Sequence, residues 1–246
     1  IQRTSEEGIH PWKQPTCHGA GESGRGCVFG LFIAMERNGV GPRNAPVPYA
    51  EDDVRQLAAA FIGHGLMRQE DVVILVSEAA TVQAITDSVR ALNARMRPED
   101  VFLFFFDGHG SQRVLAVWEE DLERNHLGRL LASVHAEQTI IVIDACYSGG
   151  FARMAARRSG HVVNGFYSSR ATERSYTLPR LHSAGYLAYA FIRRVRQPDP
   201  DGRVTSQEMT DAIRRDYVEL LPPEDVQHLV VTGHNAVLWH VVPSGS

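Results

Sequence analysis

Cysteine is scarce in this 246-residue chain, with Cys17, Cys27 and Cys146 its three examples. A count so low and odd argues against a disulfide framework and for a reducing, cytoplasmic compartment. Lysine is scarcer still: Lys13 stands alone among the 25 Lys and Arg residues. No apolar run approaches the roughly 18 residues that cross a bilayer, which excludes a membrane partner reached through a span. Positive charge is not in excess either. The 25 basic residues face 29 acidic ones, and a net charge of −4 provides no overall field to draw nucleic acid or lipid. With 43% hydrophobic residues the chain is not disordered, and its length suits one large α/β domain or two small ones. Ile1 in place of a starting Met carries the expectation of a processed or trimmed N-terminus.

Residues 1–26 are rich in Gly, Pro, Ser and charge and lack an apolar period, the composition of a tail or arm. Cys17-His18 sits in that tail without the second ligand pair that a metal site needs. Residues 27–246 show no composition break and are expected to form a single domain. Cys27–Ala34, Val72–Val76, Val101–Phe106, Thr139–Ile143 and Val163–Ser168 are apolar runs of strand length, as expected for strands buried on both faces. Helical spacing marks Ala50–Ile62, Thr81–Met96, Leu122–Val134, Tyr186–Val195 and Gln207–Leu220. Leu229–Val231 with Ala236–Val241 reads as a closing strand or hairpin. The alternation predicts an α/β fold whose mostly parallel central sheet of about six strands carries helices on both faces. Asp199–Glu208 has a calcium-loop flavour, but its glycine comes too early; Thr205 and Glu208 instead form a capping box.

Two of the apolar runs end in reactive residues. One reads Phe104-Phe-Phe-Asp107-Gly108-His109-Gly110-Ser111, the other Ile141-Val-Ile-Asp144-Ala145-Cys146-Tyr147-Ser148-Gly149-Gly150. In open α/β sheets, ligands collect beyond the carboxyl ends of the strands, so an imidazole and a thiol at two such ends are placed to meet. A thiol is a strong nucleophile and an imidazole can take its proton and return it to a leaving amine. The N–H groups of Gly110 and Cys146 are candidates for an oxyanion hole. Side chains two apart along a strand share a face, which puts Asp107 beside His109 and Asp144 beside Cys146.

The segments FFFDGHGSQ and IIVIDACYSGGF resemble the His-Gly and Asp-x-Cys-x-Ser-Gly signatures of the caspase–metacaspase clan of cysteine peptidases. The resemblance covers most of residues 27–242 and implies a caspase–hemoglobinase fold, a His109–Cys146 dyad and protein or peptide substrates. It divides the domain into a large-subunit-like part (27–150), a linker (151–162) and a small-subunit-like part (163–246). Caspases that cut after Asp have Gln two residues before the cysteine. Asp144 stands there in this chain, as in metacaspases, where that acid binds a basic P1 side chain. Asp53 resembles the acid at the start of the family's first helix that lines the same pocket, and Asp107 adds a third. A P1 Arg, with Lys second, is therefore expected.

Three further expectations follow from the resemblance. Calcium-binding acids lie between the His and Cys strands and again after the cysteine in many metacaspases. Here Glu119, Glu120 and Asp121 occupy the first stretch, but Arg153, Arg157 and Arg158 follow the cysteine, so no cofactor or metal is expected and calcium dependence is not favoured. Arg157 and Arg158 are candidate self-cleavage sites. A regulatory protein partner is an expectation from the family alone. Three rivals stay open: an Asp-specific caspase using Arg170, a catalytically silent caspase-like scaffold, and a non-peptidase α/β hydrolase that uses the cysteine on esters.

Overall fold

The computed structural model describes residues 26–37, 45–118, 120–155, 161–197, 203–233 and 236–240. Its centre is a six-stranded sheet in the order β2-β1-β3-β6-β7-β9. These strands are β1 (Val28–Ala34), β2 (Val72–Val76), β3 (Val101–Asp107), β6 (Gln138–Asp144), β7 (Val162–Tyr167) and β9 (Val230–Thr232). All pair in parallel except β9, which runs antiparallel to β7 at the edge. The expected strand runs thus appear within a residue of their sequence limits.

Both faces of the sheet are covered, which is why the runs read as continuously apolar. On β3, Leu103 and Phe105 enter one core while Phe102, Phe104 and Phe106 enter the other. The first core is closed by α1 (Ala50–Gly63), α5 (Tyr186–Arg196) and α6 (Ser206–Leu220); the second by α2 (Val82–Asn93) and α3 (Arg124–Ala132). Each fully buried phenylalanine contributes about 1.5–3 kcal/mol relative to exposure, so the three strands at the centre are the best anchored part of the molecule. No described helix is long and apolar enough to cross a membrane.

Three expectations are corrected. The helix assigned to Leu122–Val134 begins at Arg124, because Leu122 belongs to an antiparallel hairpin of β4 (Val114–Val117) and β5 (Glu120–Glu123). The two C-terminal runs do not form a hairpin with each other: β9 closes the main sheet, whereas β10 (Val237–His240) pairs with β8 (Arg203–Thr205). Cys27 is disulfide-bonded, against the expectation that so few cysteines carry no disulfide framework. Of the candidate tail, residues 1–25, including Cys17-His18, lie outside the described residues. At the start of α6 the capping box is formed, with the Thr205 hydroxyl accepting from the Glu208 N–H and the Glu208 carboxylate accepting from the Thr205 N–H.

Candidate active site

Strands β3 and β6 are immediate neighbours, and their register pairs Asp107 with Asp144. His109 and Cys146 each follow two residues later, so both leave the same end of the sheet from adjacent positions. The Gly108 N–H donates to the Asp144 carbonyl at 3.1 Å and ties the two exits together. Cys146 is a free thiol, partly exposed, and its Sγ donates to the Ser175 carbonyl at 3.7 Å. Nε2 of His109 lies 2.6 Å from the Ala45 carbonyl. A carbonyl only accepts, so Nε2 is the donor in this contact and Nδ1 is the ring nitrogen left to exchange a proton.

The turn after Cys146 is held open against local preference. Tyr147 has φ 60°, a left-handed conformation costly for a side chain of its size. Its N–H donates to the Glu173 carbonyl at 2.8 Å. The chain then turns through a short 3-10 segment, Ser148–Phe151, with the Ser148 side chain fully buried. Gly150 lets this turn touch the His loop: a Cβ there would stand 2.5 Å from the Gln112 carbonyl oxygen. Gly110 approaches from the other side, where a Cβ would be 3.2 Å from the Cys146 carbonyl oxygen. The bridge between Gly110 and Leu115 uses the N–H groups of Ser111 and Ala116, so the Gly110 N–H is not spent in it.

Beneath these residues the three acids singled out in the sequence come together. Asp53, Asp107 and Asp144 are all buried and interact electrostatically with one another. Asp144 Oδ2 accepts from the N–H groups of Leu187 and Ala188 at 3.1 and 3.0 Å, in the first turn of α5, while Oδ1 accepts from the Ser175 hydroxyl at 3.3 Å. Gly185 permits that approach, since a Cβ there would lie 2.1 Å from the carboxylate. Asp53 Oδ2 accepts from the Ser183 hydroxyl and the Ala184 N–H, each at 2.7 Å. Asp107 Oδ2 has no hydrogen-bond partner among the described residues.

Burial drives all three carboxyls upward, and their mutual repulsion adds to it; Asp53 reaches about 7, and Asp107 stands well above its usual value. The main influences on each are burial, hydrogen bonds and the other acids, with no arginine among them. Elsewhere the fold does neutralise a buried acid: Asp71 is bracketed by Arg68 at 2.5 Å and by Arg95. Asp71 thus has its cations inside the protein, whereas Asp53, Asp107 and Asp144 have no ion-pair partner among the described residues.

The remaining candidates fall elsewhere. Arg170 is exposed and turned to Glu173, 3.5 Å away and three residues on, not toward the acids. Glu120 is used locally, accepting from the Val82 N–H at 2.6 Å. Glu119, Arg157 and Arg158 lie outside the described residues, and Asp121 stands on the exposed side of β5. Among the described residues no three His, Cys, Asp or Glu side chains are grouped to hold a metal ion. Sequence reasoning passed over Ser168, Ser175 and Ser183. Ser168 joins Ser175 and donates to the Ala145 carbonyl, forming a hydroxyl chain between the acid and the cysteine turn. Serines in loops carry no periodic signal, and only the Ser-Ser doublet after β7 hinted at it.

A model of the peptidase C13 family, in the caspase-like clan, matches residues 52–216. A search of curated proteins matches none. Among solved structures, protein GSU0716 from Geobacter sulfurreducens is similar in fold, with a TM-score of 0.61 at 15% identity over 85% of this chain and 94% of that one. The mostly parallel six-stranded sheet of this chain, with helices on both faces, is the caspase-like arrangement expected from the sequence.

Proposed function

We propose, from the premise that this chain belongs to the peptidase C13 family and is a cysteine peptidase of the caspase-like clan, that it is an endopeptidase cutting after Arg, and after Lys more slowly, through a His109–Cys146 dyad. Cys146 attacks the scissile carbonyl as its proton passes to Nδ1 of His109. The tetrahedral oxygen is received by the N–H groups of Gly110 and Cys146, neither of which has an acceptor among the described residues. Loss of one such donor typically costs about 2.7–4 kcal/mol of transition-state stabilisation. His109 then returns the proton to the leaving amine, and water releases the acyl group by the reverse path.

The observation that carries the specificity is the uncompensated set Asp53, Asp107 and Asp144. A guanidinium entering beside Cys146 supplies the cation this set lacks, and charge-assisted hydrogen bonds contribute about 1.5–3 kcal/mol each. A P1 Asp would bring a further carboxyl to a site that already holds three, with no cation facing them among the described residues. Arginines at and after position 153 are the wrong charge for a calcium site, so turnover independent of calcium is part of the proposal. Arg157 and Arg158 remain its candidate self-cleavage sites. Digestion of a peptide library followed by mass spectrometry tests the reading: cuts after Arg and Lys are expected, and cuts after Asp would overturn it.

A further inference from the structure

A cavity of about 460 Å³ lies between α3, the short helix α4 (Ala152–Ala155) and strands β6 and β7, away from the acids. Arg124, Arg129 and Arg153 line it, together with Leu131, Ile141 and Val163, and no acidic residue does. Arg129 and Arg153 are exposed, and neither makes a hydrogen bond or ion pair with any described residue. Thr139, on the same wall, is 2% exposed, yet its hydroxyl has no hydrogen-bond partner among the described residues. A buried hydroxyl in that state is unfavourable until an acceptor reaches it. Arg124 is different. Its Nη1 donates to the Gly150 carbonyl at 2.9 Å and to the Gln112 carbonyl at 3.2 Å, bridging the loop after Cys146 to the loop after His109.

We propose that this cavity binds a small amphipathic organic anion and that its occupancy is coupled to the reactivity of Cys146. The carboxylate or phosphate head sits on the arginines and the apolar body covers Leu131, Ile141 and Val163. The charge complementarity and the size both fit such a ligand, since sites for small molecules run to about 300–1,000 Å³ with a few polar groups fixing orientation. Coupling runs through Arg124. An anion that fixes this guanidinium also fixes the two carbonyls it bridges, and with them the spacing of the two catalytic loops.

Decanoate is the probe, titrated calorimetrically into the intact protein beside decanol, which lacks the charge, and inorganic phosphate, which lacks the body. Decanoate is expected to saturate a single site, with decanol and phosphate weaker by about tenfold or more. The double substitution Arg129→Ala and Arg153→Ala is expected to weaken decanoate by about as much. Equal affinity for decanol, or unchanged affinity in the double variant, overturns the site. Coupling is read from the rate at which iodoacetamide alkylates Cys146: saturating decanoate should change it by about threefold or more in the wild type and not in the double variant. An unchanged rate overturns the coupling. None of these readouts needs a peptide substrate, so failure of the peptidase reading and failure of this site are distinguishable.

Discussion

Asp107 and Asp144 are register partners at the ends of adjacent parallel strands, and each stands two residues before a reactive side chain. One pairing therefore sets two things at once: the adjacent exits of the His109 and Cys146 loops from the sheet, and the meeting of two buried carboxyls there. The connection between the two strands carries the β4–β5 hairpin and α3.

Removing the charge without the shape should isolate its role. Asp144→Asn keeps an oxygen to accept from Leu187 and Ala188. We expect kcat/KM on an Arg-amide substrate to fall about ten- to 150-fold, the equivalent of 1.5–3 kcal/mol. Iodoacetamide alkylation of Cys146 should continue. An unchanged kcat/KM would remove Asp144 from the P1 site.

The acids also make stability depend on pH. Burial first, with neighbouring acids adding, raises Asp53 from 3.8 to about 7. Between those values the folded protein holds a proton that the unfolded chain has released, so this group's contribution to stability falls as pH rises. Relative to Asp53→Asn, the wild type should lose Tm progressively from about pH 4.5 to about pH 7.5 in thermal unfolding. A difference that grows in favour of the wild type over that range would contradict the assignment.

Close backbone approach makes Gly150 intolerant. In Gly150→Ala the added methyl meets the Gln112 carbonyl at 2.5 Å, where backbone rather than a flexible side chain must yield. We expect a loss of about 1–3 kcal/mol in denaturant unfolding, and a drop in kcat larger than any change in KM. Equal stability would mean the two loops are free to separate.

Arg170 offers a negative control. It is engaged with Glu173 at the surface, where such pairs are worth little. Arg170→Ala should change the ratio of Arg to Asp cleavage by less than about twofold in a paired assay. A collapse of Asp cleavage with retention of Arg cleavage would instead place Arg170 in a second P1 subsite.

Much of the scaffold was legible because parallel strands covered on both faces must be apolar at every position. Runs such as Val101–Phe106 therefore announce both their type and their limits. The hairpin of β4 and β5 was not, because Glu120, Asp121 and Glu123 are exposed and leave only Leu122 as an apolar mark. The short pair of β8 and β10 lacks enough residues to show a period. In the site, the sequence showed Asp107 and Asp144 as the ends of two apolar runs, and the strand register pairs them. The α5 N-terminus and Ser175, which bond Asp144, come from a segment more than 30 residues downstream, beyond the reach of any local pattern.

The most direct test measures initial rates on matched fluorogenic Arg-amide and Asp-amide peptides, using wild-type protein and Cys146→Ala in the same buffer without calcium. We predict turnover of the Arg-amide by the wild type, at least about a hundredfold slower turnover of the Asp-amide, and none of either by Cys146→Ala. Asp-amide turnover equal to or faster than Arg-amide, or Arg-amide turnover that survives in Cys146→Ala, would contradict it.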